Sequence, residues 1–460
     1  MGHDTPRTGA ALRRISALRR VLLRGPRARA ADVLVRDLCR ACWNGAVDLF
    51  RQDATAPPGT YGQERNRLHG LVQDVVWRAG HARRMAAYAK SSGAVPARAE
   101  SPREPFRATF LLEGVNASGG VLSVMQLMGG LRALGVEATV VVRSPRSYDP
   151  ELCRAITPVF FKNDSELIRK FPPCDVAVAT YWPTMHLLAE CFLARPNFAP
   201  AYFVQDFEPD FYPESDWLTR RAVLDTYRMT PFCFAKTPWI CEKVQEAGGI
   251  IELVPPGVDL DLFLPRPALR DPEQKPVVLM MVRPSTPQRG LDTLRNTLSK
   301  LAASGAAASV EFQAFGCPPE ELAGLGLPVP VTARGVLPNA ALPQVYLDAF
   351  LFLETSHFHG FGRTVAEAMA CGTPCVLTDS GGVRLFAGHE KNCLMAEPGD
   401  ADRLADHVLR LISRPAERAR LAERCRPSIL PFDLRRSAEQ TLDFLRRAAS
   451  GASGPRPQGR

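Results

Sequence analysis

The chain has 460 residues, of which 46% are hydrophobic and 23% charged; this composition indicates a folded protein of two or three domains and excludes a disordered or collagen-like chain. No apolar run reaches the about 18 residues needed to span a bilayer, which argues against an integral membrane protein. The net charge of +9 arises in the first 100 residues, where 18 Lys and Arg oppose 8 Asp and Glu, so the remainder has no overall attraction to nucleic acid.

Residues 1–104 are predicted to form a basic helical extension. Apolar residues recur there at helical spacing, with arginines between them: Leu12, Ile15, Leu18 and Leu22. Two interpretations remain open, a solvated extension packed on the main body or an amphipathic segment within 1–30 that lies on anionic lipid. The start of the chain lacks a secretory leader pattern, so we expect reduced thiols and a cytoplasmic protein, at the inner face of the cell membrane if this segment binds lipid.

From residue 106 the sequence alternates apolar runs with helical segments. In the first half, strands are predicted at 106–112, 136–142, 175–180 and 201–205, with a helix at 120–134. In the second half, strands are predicted at 277–282, 310–315, 350–354, 374–378 and 393–396. This pattern is typical of βαβ units and predicts an α/β fold with two doubly wound, Rossmann-like domains, 105–265 and 266–431. Because such sheets bind ligands at the carboxyl ends of their strands, we expect a ligand in the cleft between the two domains.

A two-glycine turn, Gly119-Gly120, follows the first predicted strand and opens the first predicted helix. Glycines allow a backbone to approach a ligand, and the amides at a helix N-terminus favour an anion. A tight strand-to-helix connection without any ligand has the same sequence, so both interpretations remain open.

Two arginines flank the end of the first strand of the second half. Arg283 follows that strand, and Arg289 precedes the next helix. Two guanidinium groups at one strand end can neutralise a diphosphate, because each offers paired donors that match phosphate oxygens. Taken alone, the motif favours the alternative of two solvated surface arginines.

The third motif is the stretch SHFHGFGRTVAEAMACGTP at 356–374. Its turn Gly360-Phe361-Gly362 exposes backbone amides at the start of a helix, and Glu367 lies one turn inside that helix, where it can accept hydrogen bonds from sugar hydroxyls.

These residues resemble the C-terminal signature of family 4 glycosyltransferases of the GT-B fold. The family pattern has two glutamates separated by seven residues; Glu367 occupies the second position, and His359 stands at the first. The similarity covers 106–447. Two finer features, Gly362-Arg363-Thr364 and the stretch 204–213, are similar to the rhamnosyltransferases of bacterial surface rhamnans.

The resemblance implies a retaining glycosyltransferase that moves a sugar from a nucleotide diphosphate to a glycan or lipid-linked acceptor, the best guess for the sugar being a deoxyhexose such as rhamnose. Arg283 and Arg289 would hold the diphosphate, and Glu367 would hold the ribose. Backbone groups that meet the sugar and phosphate would come from Gly360, Phe361, Gly362, Arg363 and Thr364, with Gly119 and Gly120 approaching from the other domain. A helix over 432–447 would cross back to the first domain, and 448–460 is expected to be a disordered tail.

His359 is the main departure from the family pattern. Imidazole is neutral or cationic near pH 7, so it cannot stabilise an oxocarbenium ion as a carboxylate does. The alternative function is therefore a catalytically inactive nucleotide-sugar-binding or scaffold protein of the same fold.

Acidic residues separated by a single residue could be ligands of a metal ion. Asp206 and Glu208 follow a strand of the first half, where they either face the acceptor and act in catalysis or serve as structural loop carboxylates. Because Arg283 and Arg289 already supply the countercharge for a diphosphate, we expect neither a metal nor another cofactor.

The N-terminal region is predicted to bind anionic vesicles in preference to neutral ones. Residues 1–30 carry eight arginines and one aspartate, and each basic residue near an anionic surface contributes roughly 1 kcal/mol, which salt screens. Vesicle flotation at low salt should therefore separate the full chain from a truncated chain that begins at Pro105; equal flotation of the two would contradict the lipid interpretation.

Overall fold

The computed structural model describes residues 105–115, 118–143, 156–265 and 275–451. The predicted extension over 1–104 and residues 452–460 of the predicted tail lie outside these residues. Within the described ranges, no helix is both long and apolar enough to cross a bilayer.

The first domain is built on a parallel sheet. Its strands are β1 (Arg107–Leu112), β2 (Glu137–Val142), β3 (Val159–Phe160), β4 (Val176–Ala179), β5 (Ala199–Val204), β6 (Cys233–Ala235) and β7 (Ile251–Leu253). They lie in the order β3-β2-β1-β4-β5-β6-β7, and Ala108 of β1 pairs with Ala138 of β2 on one side and Val176 of β4 on the other. Strands β4 and β5 are buried along their whole length, which explains their continuous apolar sequences.

Helices and one 3₁₀ turn connect these strands. The helices are α1 (Gly119–Ala133), α2 (Asp164–Lys170), α3 (Trp182–Ala194), α4 (Trp217–Thr226) and α5 (Pro238–Glu246), and the 3₁₀ turn is Glu208–Phe211. Polar side chains cap four of the helices: Ser118 accepts a hydrogen bond from the Val121 amide, Asn163 from Glu166, Asp216 from Thr219, and Thr237 from Ile240. These caps satisfy amides that have no partner inside the helix.

The second domain has its own parallel sheet. Its strands are β8 (Val277–Met281), β9 (Glu311–Phe315), β10 (Val331–Gly335), β11 (Leu351–Glu354), β12 (Cys375–Thr378) and β13 (Leu394–Ala396), in the order β10-β9-β8-β11-β12-β13. Its helices are α6 (Leu291–Ala303), α7 (Pro319–Gly324), α8 (Leu342–Asp348), α9 (Arg363–Ala370), α10 (Ala401–Ser413) and α11 (Pro415–Ile429). The two sheets confirm the predicted α/β fold. In both, the strand order reverses at the first strand, β1 or β8, and this is where such sheets bind ligands.

The last helix, α12 (Leu434–Ala449), returns to the first domain. The Ser437 hydroxyl donates to the Pro255 carbonyl at 2.8 Å, and Arg447 forms an ion pair with Glu252 at 2.6 Å. The helix continues two residues beyond its predicted end at 447, because Ala448 and Ala449 are buried in the core of the first domain.

Candidate functional site

Loops that follow strands of the first sheet contact loops that follow strands of the second. The Thr237 hydroxyl donates to the Gly360 carbonyl at 3.0 Å. A Cβ atom on Gly360 would lie 2.2 Å from the Gln205 carbonyl oxygen, and one on Gly381 would lie 2.7 Å from the Trp239 ring. Only glycine permits these approaches. The contacts bring the carboxyl ends of both sheets to one cleft, and the predicted site residues of both halves lie on the loops that meet there.

The wall from the first domain includes the N-terminus of α1. A Cβ on Gly119 would meet no atom within 4 Å, whereas one on Gly120 would lie 3.5 Å from the Gln205 side chain. Gln205 is held in place by donating to the Thr180 carbonyl at 3.1 Å. Gly119 therefore borders open space at a helix N-terminus, which suits the approach of an anionic group.

The opposite wall carries the two predicted arginines. Arg283 follows β8, and Arg289 ends the 3₁₀ turn before α6. Burial lowers the pKa of Arg283, and the charge of Arg289 acts in the same direction. The Arg289 Nη1 atom lies 3.7 Å from Glu354 Oε2. The two charges thus interact, and both side chains are half-buried, which favours the anion-binding interpretation over that of solvated surface arginines.

Glu354, at the end of β11, holds this wall together. Its carboxylate is 3% exposed, accepts hydrogen bonds from the Ser356 amide at 3.1 Å and the Thr364 hydroxyl at 3.2 Å, and lies 3.5 Å from His359 Nε2. Burial by itself raises the pKa of Glu354, but its interactions with His359, Arg289 and Ser356 outweigh burial and lower it to about 2. The ionised carboxylate therefore orients Arg289 and His359. The sequence places Glu354 at the end of a predicted strand and indicates no further role for it. The signal that could have identified it is an acidic residue at the end of an otherwise apolar strand.

Glu367 is 1% exposed and lies one turn into α9. It accepts hydrogen bonds from Arg363 Nε at 2.7 Å and from the Tyr346 hydroxyl at 3.2 Å. Burial raises the pKa of Glu367, although Arg363 and Tyr346 oppose this effect. Arg363 also reaches across the cleft, where its Nη2 donates to Gln126 Oε1 at 2.5 Å. Glu367 is thereby connected through Arg363 to α1 of the other domain.

Backbone hydrogen bonds fix the position of His359. Its amide donates to the Ser380 carbonyl at 2.8 Å, and its carbonyl accepts from the Gly382 amide at 3.0 Å. The predicted residues Phe361, Gly362 and Thr364 continue this loop into α9; Phe361 is buried against Phe386, with ring centroids 5.2 Å apart. His359 thus stands between the buried Glu354 on its own domain and Asp206 on the other.

Asp206 and Lys236 face the cleft from the first domain. Burial raises the pKa of Asp206, and the charges of His359 and Lys236 oppose this rise. Lys236 follows β6 and is 6% exposed. We did not predict Lys236 as a site residue, because a single lysine after a short apolar run has no motif around it.

Glu208 is directed away from the cleft. It is 2% exposed, and its Oε2 accepts from the Trp182 amide at 2.8 Å and the Tyr202 hydroxyl at 2.9 Å. Burial raises the pKa of Glu208 to about 8, although these two hydrogen bonds act in the opposite direction. Of the two interpretations left open by the sequence, this placement favours a structural loop carboxylate.

The acidic residues do not assemble into a metal site in the described part of the chain. No group of three or more His, Cys, Asp or Glu side chains there is arranged to hold a metal ion.

One family model matches the second domain of this chain. Residues 275–414 match the family model described as glycosyl transferases group 1. The matched segment spans β8 to α10 and contains Arg283, Arg289, Glu354 and Glu367. The second domain therefore carries the group 1 glycosyltransferase sequence pattern.

Curated relatives share part of their length with this chain. The O-antigen biosynthesis protein RfbC of Myxococcus xanthus is 32% identical over 264 residues, which are 56% of this chain and 19% of that protein. A D-inositol 3-phosphate glycosyltransferase of Saccharomonospora viridis is 30% identical over 228 residues, 44% of this chain and 52% of that protein. The chain thus spans from about a fifth to about half of the length of these relatives.

Solved structures share the whole two-domain architecture. Anabaena Alr3699/HepE, solved in complex with UDP and glucose, superimposes with a TM-score of 0.64 at 20% identity and covers 74% of this chain and 99% of its own. Sucrose-phosphate synthase from Thermosynechococcus elongatus superimposes with a TM-score of 0.61 at 18% identity, covering 75% of this chain and 100% of its own. These similarities confirm the predicted GT-B fold.

The structural role of Glu208 predicts a specific dependence of stability on pH. A carboxyl group whose pKa is raised in the folded state stays protonated while the unfolded chain ionises, so stability falls as pH rises from about 4.5 to 8. Glu208→Gln keeps an acceptor for Trp182 and Tyr202 and removes this ionisation. Between pH 5 and pH 8 the wild-type melting temperature should fall by at least about 3 °C relative to the variant.

The exposed Glu214 provides the matched control. Glu214→Gln should follow the wild-type melting profile across the same pH range. Glu208→Gln should keep any transferase turnover to within about twofold of wild type, since we place it outside the chemistry. A parallel melting profile for Glu208→Gln and wild type, or a large loss of turnover, would contradict the structural role.

Proposed function

We propose that this protein is a retaining glycosyltransferase that moves a sugar from a nucleotide diphosphate donor to a hydroxyl of a glycan acceptor. The observation that carries the proposal is the pairing of the half-buried Arg283 and Arg289 after β8, in a cleft that the open N-terminus of α1 at Gly119 also borders. Two guanidinium groups and the amides of a helix N-terminus in one cleft suit a bound diphosphate. The match of residues 275–414 to the group 1 glycosyltransferases supports the same assignment.

The main chemical task of such a site is to stabilise the departing diphosphate. As the bond to the sugar breaks, negative charge develops on the leaving phosphate, and guanidinium groups already held in position stabilise that charge. Glu354 supports this role because it fixes Arg289 at 3.7 Å. The acceptor hydroxyl attacks from the face that the diphosphate leaves, and a phosphate oxygen takes its proton. The arginines supply the countercharge, so donor binding requires no metal ion.

Glu367 and the loop 360–364 complete the proposed donor site. Glu367 is the ribose-binding group, and Arg363 shifts from it to the donor when the nucleotide binds. The amides of Gly360 and Gly362 lie at the start of α9, where they can meet the sugar and phosphate. Closure of the two domains around the donor would expel water and so restrict hydrolysis.

For the acceptor, we propose a bacterial surface polysaccharide or its lipid-linked precursor. The partial similarity to an O-antigen biosynthesis protein supports this class. Aromatic rings at the mouth of the cleft suit a glycan: Phe211 stacks on Phe358 of the other domain with ring centroids 6.2 Å apart, and the Trp182 indole donates to the Tyr212 hydroxyl. Rhamnose remains our best candidate for the transferred sugar, on the sequence similarity of 204–213 and 362–364 to rhamnosyltransferases.

A protein that binds a nucleotide sugar without turnover is the second candidate, because His359 replaces a glutamate of the family pattern. The position of Glu354 favours the enzyme. Its carboxylate lies 3.5 Å behind the imidazole, so the site keeps an acid directly beside the altered position. Retention of both arginines and Glu367 argues only against a scaffold that binds no nucleotide sugar, since a donor-binding protein without turnover would also keep them.

Replacing the arginines tests the donor site directly. Arg283→Ala and Arg289→Ala should each weaken binding and lower turnover at least about tenfold, since removing one charge-assisted phosphate contact costs about 1.5–3 kcal/mol. Glu367→Gln should have a similar effect through the ribose. Binding of UDP-, GDP- and dTDP-sugars is measured by calorimetry, and turnover in a buffer that contains EDTA.

The matched control is Arg295→Ala, on the exposed face of α6. It should leave both affinity and turnover unchanged. Wild-type affinity in all three site variants would refute the site assignment, and tight binding without turnover of any sugar would favour the scaffold alternative.

The role of His359 is tested by two substitutions. If the imidazole is a hydrogen-bond partner of a sugar hydroxyl, His359→Ala should impair donor use about tenfold or more, whereas His359→Gln, which keeps a donor and an acceptor, should retain much of it. Turnover is measured from pH 5.5 to 8. His359→Gln should lack any loss of activity at low pH that wild type shows.

His357 is the control, because it is half-exposed and contacts Thr293 on its own domain. His357→Ala should follow the wild-type profile. If His359→Ala also matches wild type at every pH, the histidine only fills the loop.

A further inference from the structure

We propose that Lys236 is a further cationic ligand of the donor diphosphate, supplied by the first domain and acting together with Arg363 of the second. This inference rests on the proposed function, because it takes the anion to be the diphosphate of a nucleotide sugar. Neither the match to the glycosyltransferase family, which covers 275–414, nor the sequence motifs include Lys236.

The surroundings of Lys236 place its charge in the wall of the cleft. The residue follows β6 and is 6% exposed. Its Nζ donates to the Ser123 hydroxyl at 3.2 Å and lies 5.5 Å from the centroid of the Phe203 ring. The Ser123 hydroxyl donates in turn to the Gly119 carbonyl at 2.8 Å. Lys236 is therefore tied to the first turns of α1, beside the open space at Gly119.

Arg363 approaches the same hydroxyl from the other domain. Its Nη1 lies 3.4 Å from Ser123 Oγ, so two basic groups share one neutral acceptor. Like charges this close repel strongly in a buried site, and a hydroxyl does not neutralise them. A group with several negative oxygens between the two side chains would turn this repulsion into attraction.

The charged groups around this pair leave room for such an anion. Asp206, after β5, faces Lys236 and is shared with His359. Glu367 is engaged by Arg363 Nε and Tyr346. Each nearby carboxylate thus already serves another cation or hydroxyl.

A diphosphate suits this position better than a single carboxylate. Arg363 lies one turn before Glu367, the proposed ribose ligand, and Arg283 and Arg289 stand at the facing strand end. A diphosphate that extends from the ribose past Gly119 has enough oxygens to meet both the arginine pair and Lys236.

Binding of the anion should change the protonation of Lys236. Burial lowers the pKa of Lys236 to about 7, the charge of Arg363 acts in the same direction, and Asp206 opposes it. At pH 8 the amine of the free protein is mostly neutral, and a diphosphate beside it favours the ammonium form. Nucleotide binding at pH 8 should therefore take up a proton from the buffer.

Calorimetry of the full chain at pH 8, in two buffers of different ionisation enthalpy, measures this uptake. The ligand is the tightest binder among UDP, GDP, dTDP and ADP. We expect wild type to take up at least about half a proton per nucleotide. Lys236→Met should lose most of that uptake and bind at least about tenfold more weakly at pH 6.5. Lys236→Arg should restore affinity without uptake, since arginine is already charged.

Lys243→Met, on the exposed part of α5, is the matched control and should behave as wild type. Unchanged affinity and uptake in Lys236→Met would overturn the proposal while leaving the proposed function intact. If Lys236→Met fails to fold, Lys236→Arg decides: wild-type proton uptake in that variant would overturn the proposal. Absence of nucleotide binding by wild type across the panel would refute both the proposed function and this inference.

Discussion

Buried positive charge in the cleft is the constraint on which the rest of the site depends. Four cationic side chains converge there. Arg283 and Arg289 follow β8, Arg363 belongs to α9, and Lys236 follows β6. Charges removed from water are costly unless they are paired. Glu354 and Glu367, both nearly inaccessible, pair with Arg289 and Arg363. These two carboxylates offset only part of the positive charge, and the remaining positive charge suits a dianionic ligand.

That arrangement requires the two domains to approach closely, and glycine makes the approach possible. Gly360 lies against the Gln205 carbonyl, and Gly381 lies under the Trp239 ring. Any side chain at these positions would push the strand ends apart and separate Lys236 from Arg363. The returning helix α12 also joins the domains, because it follows the second domain in sequence and packs in the core of the first. Positioning of the charges therefore depends on contacts far from the charges themselves.

The long, apolar strands could be predicted because each is buried on both faces and reads as a continuous apolar run. Four strands were not predicted: β3, β6, β7 and β10. They have two to five residues each; β3, β7 and β10 are edge strands, and β6 lies next to an edge strand. β3 and β10 contain no buried residue, and β6 and β7 have three residues each, so none of the four reads as a continuous apolar run of useful length; they form because a neighbouring strand offers hydrogen-bond partners.

The same distinction applies to the candidate site. The sequence by itself determined the parallel α/β architecture and the local motifs, namely the glycines at 119 and 120, the two arginines and the 356–374 stretch, because these are set by neighbours in the chain. Only the tertiary structure decided that Glu354 is a buried partner of Arg289 and His359, that Glu208 is directed into the protein, and that Lys236 faces Arg363. Lys236 meets Ser123 across 113 residues, and Arg363 meets Gln126 across 237. Burial and charge at such positions come from residues distant in sequence. The pKa values and hydrogen-bond partners of these side chains are therefore set only once the two domains are in contact.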